Sequence, residues 1–225
     1  MEHLQHFSKF FFIDWMMIII TGVAFVISVR KGENRKQLKV IGLYILCSLI
    51  FDIISLFQEL FVAPRQLGEE IESVALNIFL LAEFTLLNYF FLVNISTRSR
   101  RIIVRLFFFA FFLWIGILWF GKKAAFYHFL PQFVVIESLC IIIPSLLFLF
   151  DLFDTSKILI LKHHPPFWVA AGVLFYNSCS IPLFLLFPYF ETKMPMYFNA
   201  AMALNYILYS FLFLLFIRAY LCKTS

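Results

Sequence analysis

Charge is scarce in this sequence. Asp, Glu, Lys and Arg make up 14% of the 225 residues, against about 25% in an ordinary soluble domain. Apolar residues reach 63%, and the mean hydropathy is +0.95. A soluble globule of this composition has nowhere to place its apolar surface, and a disordered chain needs a higher share of charge. The composition excludes both classes and predicts a protein that lies in a lipid bilayer.

Motifs of catalysis and cofactor binding are absent as well. The sequence contains no Cys-x-x-Cys pair, no glycine-rich nucleotide-binding loop, no Gly-x-Ser-x-Gly and no His-Glu-x-x-His. All five histidines lie in predicted tails or loops, away from membrane depth. We therefore expect no cofactor, no metal and no enzyme activity. One enzyme class stays open, an intramembrane hydrolase that uses the carboxylates of Asp52 and Glu83.

Seven apolar runs are separated by short connections that carry Gly and Pro. Each run has about the length of a membrane-spanning helix. The runs are 10–29, 38–60, 73–94, 102–120, 133–150, 167–187 and 197–217. We therefore predict an all-α polytopic membrane protein, with seven transmembrane helices in a single transmembrane domain over residues 1–225. Pro165 and Pro166 are predicted to lie in the first turn of helix 6, where a missing N–H costs nothing.

Lys and Arg are divided unequally between the two ends of the predicted helices. Thirteen of the 18 fall in the tail after helix 7 and around the connections after helices 1, 3 and 5. Because cytoplasmic loops carry the excess of positive charge, the N-terminus is predicted outside and the C-terminus in the cytoplasm. The protein is thus expected in the cell membrane (an inner membrane), with the lipid bilayer as partner. Basic loops beside anionic lipid account for the net charge of +5, and no nucleic acid is implied.

Carboxylates and amides recur along the chain at nearly constant spacing. The pairs are Asp14 with Glu137, Asp52 with Asn177, and Glu83 with Asn205, at offsets of 123, 125 and 122. This order predicts two parallel three-helix repeats joined by helix 4, a 3+1+3 arrangement. Chance similarity between apolar helices is the alternative.

This layout resembles the PQ-loop and SWEET-type carriers, and also the stand-alone seven-transmembrane sensor regions of bacterial signalling systems. The resemblance is one of layout, without a matched motif. The only Pro-Gln pair, Pro131-Gln132, lies at the outer mouth of helix 5, and helix 1 has no proline. The first likeness implies transport of a small solute. The second implies ligand binding coupled to a cytoplasmic signalling partner.

Acidic side chains at membrane depth are the main candidates for a site, because a charge in hydrocarbon costs at least ~2.5–3.5 kcal/mol. Asp52 shares one face of helix 2 with Ser48, Ser55 and Glu59. Glu83 lies near the middle of helix 3, and the sequence places no Lys or Arg near either acid. These carboxylates are therefore expected either to hold a proton or to line a cavity open to the outside.

The predicted ligand-binding or proton-binding residues are Asp52, Glu83, Ser55, Asn177, Asn205, Asp14 and Glu137. The alternative is that these groups only bridge helices, at about 0.6 kcal/mol each. Gly and Pro total 15 residues, roughly half the usual share, whereas transporters commonly break helices with them. We therefore predict a receptor-like sensor that binds a small ligand or proton in an outward-facing pocket and acts through a cytoplasmic partner. A 3+1+3 small-solute transporter and the carboxylate-dependent enzyme are the alternatives.

Overall fold

The computed structural model describes residues 2–32, 36–61, 65–121, 130–154 and 163–222, with side chains from Trp15 onward except at 36, 59–61, 65–69 and 195. These residues form seven α-helices and a short 3₁₀ helix at Lys36–Leu38. The α-helices are α1 (Glu2–Gly32), α2 (Lys39–Phe61), α3 (Arg65–Asn94), α4 (Arg98–Gly121), α5 (Pro131–Asp154), α6 (Pro165–Lys193) and α7 (Pro195–Leu221).

All seven helices are long and apolar enough to cross a membrane, which confirms the predicted helical class and number of spans. The helices extend beyond the predicted runs, except that Leu38 lies in the 3₁₀ helix just before α2. Pro165 and Pro166 occupy the first turn of α6, as predicted. Both α5 and α6 continue through internal prolines, at Pro144 in the first and at Pro182 and Pro188 in the second.

Six of the helices form a closed ring. In order around it, α1 packs on α2, α2 on α3, α3 on α5, α5 on α6, α6 on α7, and α7 on α1. The remaining helix, α4, packs on the outside of α3 and α5. Only 17% of the apolar stretch of α4 is buried, against 50% for α3 and for α5. Most of the surface of α4 therefore faces lipid.

The two ends of the bundle differ in charge. We call the end at which α3, α5 and α7 finish the basic end, because nine of the twelve Lys and Arg residues that the structure describes lie there. The opposite end, at which these helices begin, is the far end. The half of the bundle toward the basic end is the basic half, and the half toward the far end is the far half. Aromatic packing closes the basic half: the fully buried ring of Tyr44 stacks on Phe213 at 6.2 Å and meets Phe216 edge-on at 5.7 Å. The buried Tyr220 donates a 2.7 Å hydrogen bond to the carbonyl of Leu38.

Asp151 ties the α3–α4 connection to the last turn of α5. Its carboxylate accepts hydrogen bonds from the N–H groups of Ser96, at 2.6 Å, and Thr97, at 3.2 Å, and from the Thr97 hydroxyl. Arg100 donates one further bond to Asp151 at 3.0 Å and another to Asp154. Four hydrogen bonds to one carboxylate, one of them from the ion-paired Arg100, fix the position of α4 against α5.

Candidate functional site: an acidic, aromatic cavity

The far half of the bundle contains a cavity of about 600 Å³. Side chains of α2, α3, α6 and α7 form most of its wall, and Met17 of α1 and Val134 of α5 complete it. Eight Phe and Tyr rings and three carboxylates face this space. The described residues that line it include no Lys, Arg or His. The site is therefore apolar in its bulk and acidic in its charge.

The cavity extends from the far end to the middle of the bundle. Glu72 and Glu83 both line it from α3, and the eleven helical steps from one to the other correspond to about 16 Å along the helix axis. This is about half the thickness of the hydrocarbon core of a bilayer. Glu83 forms part of the floor, where only 5% of its surface is exposed.

Two of the three carboxylates are bound by hydroxyl groups of α2. The phenol of Tyr44 donates to Oε1 of Glu83 at 3.1 Å, below the floor. The hydroxyl of Ser55 donates to Oε1 of Glu72 at 3.3 Å, nearer the mouth. The third carboxylate, Asp52, lies between these levels on the same face of α2. The α2–α3 interface thus presents acids at three depths.

α7 supplies the remaining polar groups of the floor. Tyr209 and Ser48 share a 2.5 Å hydrogen bond between their hydroxyl oxygens, which joins α7 to α2. The ring of Tyr209 lies 5.5 Å from that of Tyr176 on α6. Asn205 lines the cavity one turn above Tyr209, and its buried Oδ1 accepts no hydrogen bond from the described residues. An acceptor in that position is available to a ligand.

Four of the seven predicted site residues meet in this cavity: Asp52, Ser55, Glu83 and Asn205. They come from three helices and are separated by up to 153 positions in the sequence. Two further predicted residues are buried but do not line the cavity, and one lies outside the described side chains.

Asn177 is buried on α6, where its Nδ2 donates to the carbonyl of Val173 at 2.9 Å. Glu137 is buried on α5 with 2% of its surface exposed. Its Oε1 has no hydrogen-bond partner among the described residues, although the group lies within electrostatic range of Glu83. The side chain of Asp14 falls outside the described residues, so its predicted role stays a prediction.

Sequence reasoning missed the tyrosines of the floor and Glu72 at the mouth. Tyr44 stands four residues before Ser48, so it extends the polar stripe of α2 by one turn. That periodicity would have revealed it, had phenols been counted as polar groups. Glu72 precedes the predicted third run by one residue and was excluded by the hydropathy limit. Nothing in the local sequence distinguishes Tyr176 or Tyr209 from the many lipid-facing aromatics.

Metal binding finds no support in the described residues, where no three His, Cys, Asp or Glu side chains are grouped closely enough to hold an ion. No family model matches the chain, and no curated protein or solved structure is significantly similar to it. The fold and the cavity define a membrane-embedded, multi-pass helical protein with an acidic aromatic cavity in one half of its bundle.

Proposed function

We propose that the chain is a receptor-like sensor that binds a small organic cation in this cavity and acts on a cytoplasmic partner. The observation that carries the proposal is the lining: three carboxylates, eight aromatic rings and no basic side chain among the described residues. A cavity of this size falls within the ordinary range for small-molecule sites, about 300–1,000 Å³. The negative charge of the lining favours a cationic ligand, and its aromatic rings favour a ligand with an apolar body.

An ammonium ligand fits each part of this lining. Its charge pairs with Asp52 or Glu83 in a medium where ion pairs are weakly screened. Aromatic faces within about 6 Å add cation–π attraction. A ligand whose ammonium carries an N–H can also donate to Oδ1 of Asn205, which accepts no hydrogen bond from the described residues, whereas a quaternary ammonium relies on the charge and the rings alone. An anion of the same size would lose every one of these contacts and would face three carboxylates.

Ligand binding is linked to the basic end through Tyr44. An ammonium group on Glu83 competes with the Tyr44 phenol for the same carboxylate. The ring of Tyr44 packs in turn on Phe213 and Phe216 of α7. A shift of the Tyr44 ring would therefore change the packing of the last turns of α7, at the end where a cytoplasmic partner would bind. The Tyr44–Glu83 hydrogen bond is thus the contact through which a sensor of this kind would transmit ligand binding.

The orientation follows from the excess of Lys and Arg at the basic end. With that end in the cytoplasm, the cavity opens to the outside, the N-terminus lies outside and the C-terminus inside. A sensor placed in a cell membrane in this way samples molecules of the external medium.

A small-solute transporter is the second candidate, and the ring of helices favours it. The packing pattern maps onto itself when α1, α2 and α3 are exchanged with α5, α6 and α7, because α3 contacts α5 as α7 contacts α1. This is the pattern that a parallel 3+1+3 repeat would produce. In addition, Pro182 and Pro188 interrupt the hydrogen-bond ladder of α6 beside the cavity. The closed aromatic packing of the basic half would have to open for transport.

The proposal is tested with benzyltrimethylammonium, a quaternary ammonium ion with one aromatic ring. In detergent, saturating probe should raise the thermal unfolding midpoint, because a ligand at 100 times its Kd stabilises by about 2.7 kcal/mol. Benzoate, an anion of similar size, should have no effect. Glu83→Gln should at least halve the shift at the same probe concentration, whereas Glu191→Gln, a matched change at an exposed site near the far end, should preserve it.

The same probe separates the sensor from the transporter. In sealed vesicles that contain the purified protein, a sensor should bind the labelled probe without accumulating it in the lumen. Time-dependent uptake that Glu83→Gln abolishes would replace the sensor with the transporter. Equal responses to benzoate and to the ammonium would refute a cation site altogether.

A further inference from the structure

Four arginines crowd the first two turns of α4 at the basic end. Arg100 is neutralised by Asp151 and Asp154. The other three, Arg98, Arg101 and Arg105, form no ion pair within the part of the chain that the structure describes. Cations at a helix N-terminus are repelled by the positive end of the helix dipole. Asp151 and Asp154 offset this repulsion at Arg100, whereas the charges of the other three arginines are not compensated by any described residue.

The three arginines share one face of α4. Their spacing of i, i+3 and i+7 places them in a row, and together with Ile102 they line a surface groove of about 510 Å³. Arg101 donates from Nη2 to the carbonyl of Ser96 at 2.7 Å, which holds the guanidinium in place. Its Nε is buried and has no hydrogen-bond partner among the described residues. The groove thus combines the positive charge of three guanidinium groups with one N–H donor that has no partner among the described residues.

The same face continues into the membrane as an apolar surface. Phe109 and Leu113 follow Arg105 at steps of four residues, and they are 68% and 67% exposed. Further along the face, a Cβ atom added at Gly116 would meet no atom within 4 Å, so the surface is open there as well. The charged segment from Arg98 to Arg105 spans about 10 Å along the axis, comparable to a lipid headgroup layer.

We propose that this face of α4 binds one anionic phospholipid. The guanidinium groups of Arg98, Arg101 and Arg105 hold the phosphate, since a planar fork of donors matches its oxygens. An acyl chain lies along Phe109 and Leu113. The occupant is a lipid because the positive charge and the apolar surface are continuous on one exposed face of α4. A free anion would contact only the arginines of this face. The inference does not depend on what the cavity binds.

The lipid would act beside the Asp151 contacts described above. Arg100 and Arg101 are neighbours in sequence, one bound to Asp151 and the other part of the groove. A phosphate that neutralises the groove also relieves repulsion around Arg100. Anionic lipid is therefore expected to stabilise the α3–α4 connection against α5.

The test is lipid retention measured by native mass spectrometry of the full chain in nonionic detergent, titrated with phosphatidylglycerol or phosphatidylcholine. The parent protein should bind phosphatidylglycerol preferentially. The triple variant Arg98→Gln, Arg101→Gln, Arg105→Gln should lower that affinity roughly 100-fold, the effect of three interfacial charges. A second triple variant, Arg30→Gln, Lys31→Gln, Lys39→Gln, removes the same charge at the same end from exposed positions of α1 and α2 and should bind as the parent does.

Two further measurements keep the result decisive. Arg105→Gln alone changes one exposed side chain and should lower the affinity roughly fivefold if the triple variant does not fold. Inorganic phosphate should not displace bound phosphatidylglycerol, and displacement at equal concentration would make the groove a free-anion site. Equal loss of lipid in both triple variants, or no loss in either, would overturn the proposal.

Discussion

Tyr44 donates a 3.1 Å hydrogen bond to Glu83, and this bond marks the boundary between the two halves of the bundle. On one side lies the cavity, which Glu83 helps to line. On the other lies the aromatic packing of the basic half, to which the Tyr44 ring belongs. Both side chains are almost fully buried, so the bond joins α2 to α3 out of reach of bulk water.

Removing the phenol should therefore destabilise the protein. Tyr44→Phe keeps the ring packing and leaves the buried Glu83 without this donor, a loss of about 1–3 kcal/mol. The thermal unfolding midpoint in detergent should fall accordingly. Tyr89→Phe on α3 is the control, because that ring is 55% exposed and should tolerate the change. Equal midpoints for the two variants would show that the Tyr44–Glu83 bond contributes nothing net.

The helices could be predicted from the sequence because a bilayer leaves the backbone little choice. Every N–H and C=O in hydrocarbon must be paired within its own segment, so hydropathy alone locates the spans. The helix ends were predicted less well. The first turns of α3, from Arg65 to Glu72, are polar and lie before the predicted apolar run, yet the helix already begins at Arg65.

The site could be predicted only in part. Asp52 and Ser55 share a helix face by spacing alone, and that face does line the cavity. Glu137 was predicted from the sequence as a site residue as well, but on α5 its side chain is buried and does not line the cavity. Helical periodicity fixes which residues share a face. The direction in which that face points depends on packing between helices distant in sequence, which a single sequence does not encode locally.

A close helix contact should be sensitive to one methyl group. A Cβ atom at Gly172 of α6 would lie 3.2 Å from both Cδ1 of Leu212 and Cβ of Leu215 on α7. Gly172→Ala should lower the thermal midpoint by the equivalent of about 1–3 kcal/mol, since the Cβ atom of Leu215 is held by the α7 backbone and has to give way by a few tenths of an ångström. Gly116→Ala on the lipid-facing α4 has open space and should be neutral or stabilising. A higher midpoint for Gly172→Ala would mean that α6 and α7 separate without cost.

The carboxylate of Asp151 should contribute more to stability than that of its neighbour. In Asp151→Asn the amide replaces one acceptor oxygen by a donor, while the Ser96 and Thr97 N–H groups still require acceptors. We expect a loss of about 1.5–3 kcal/mol, the range for hydrogen bonds to a charged group. Asp154→Asn neutralises a carboxylate that is 69% exposed and should cost at most about 1 kcal/mol. The thermal unfolding midpoints of the two variants, measured in parallel, show which carboxylate contributes more to stability.

The orientation can be measured directly. A reporter enzyme that is active only in the cytoplasm should be active when fused after Ser225. The same reporter inserted near Gly68, between α2 and the body of α3, should be inactive, because the far end is proposed to lie outside. The reverse pattern would place the basic end outside and would contradict the orientation inferred from Lys and Arg.

The two acids at the cavity floor should be needed for binding but not for insertion. Asp52→Asn and Glu83→Gln keep the size and most of the hydrogen-bonding shape of each side chain and remove only its charge and its proton. Both variants should therefore express and insert as the parent does, while the Kd for benzyltrimethylammonium rises at least tenfold, the equivalent of about 1.4 kcal/mol.

Alanine at either position should weaken binding and also lower the thermal midpoint, because a bridging contact worth about 0.6 kcal/mol is lost as well. Amide variants that keep the parent's affinity would show that Asp52 and Glu83 bridge helices and do not bind the ligand. Amide variants that fail to insert would assign the acids to folding instead.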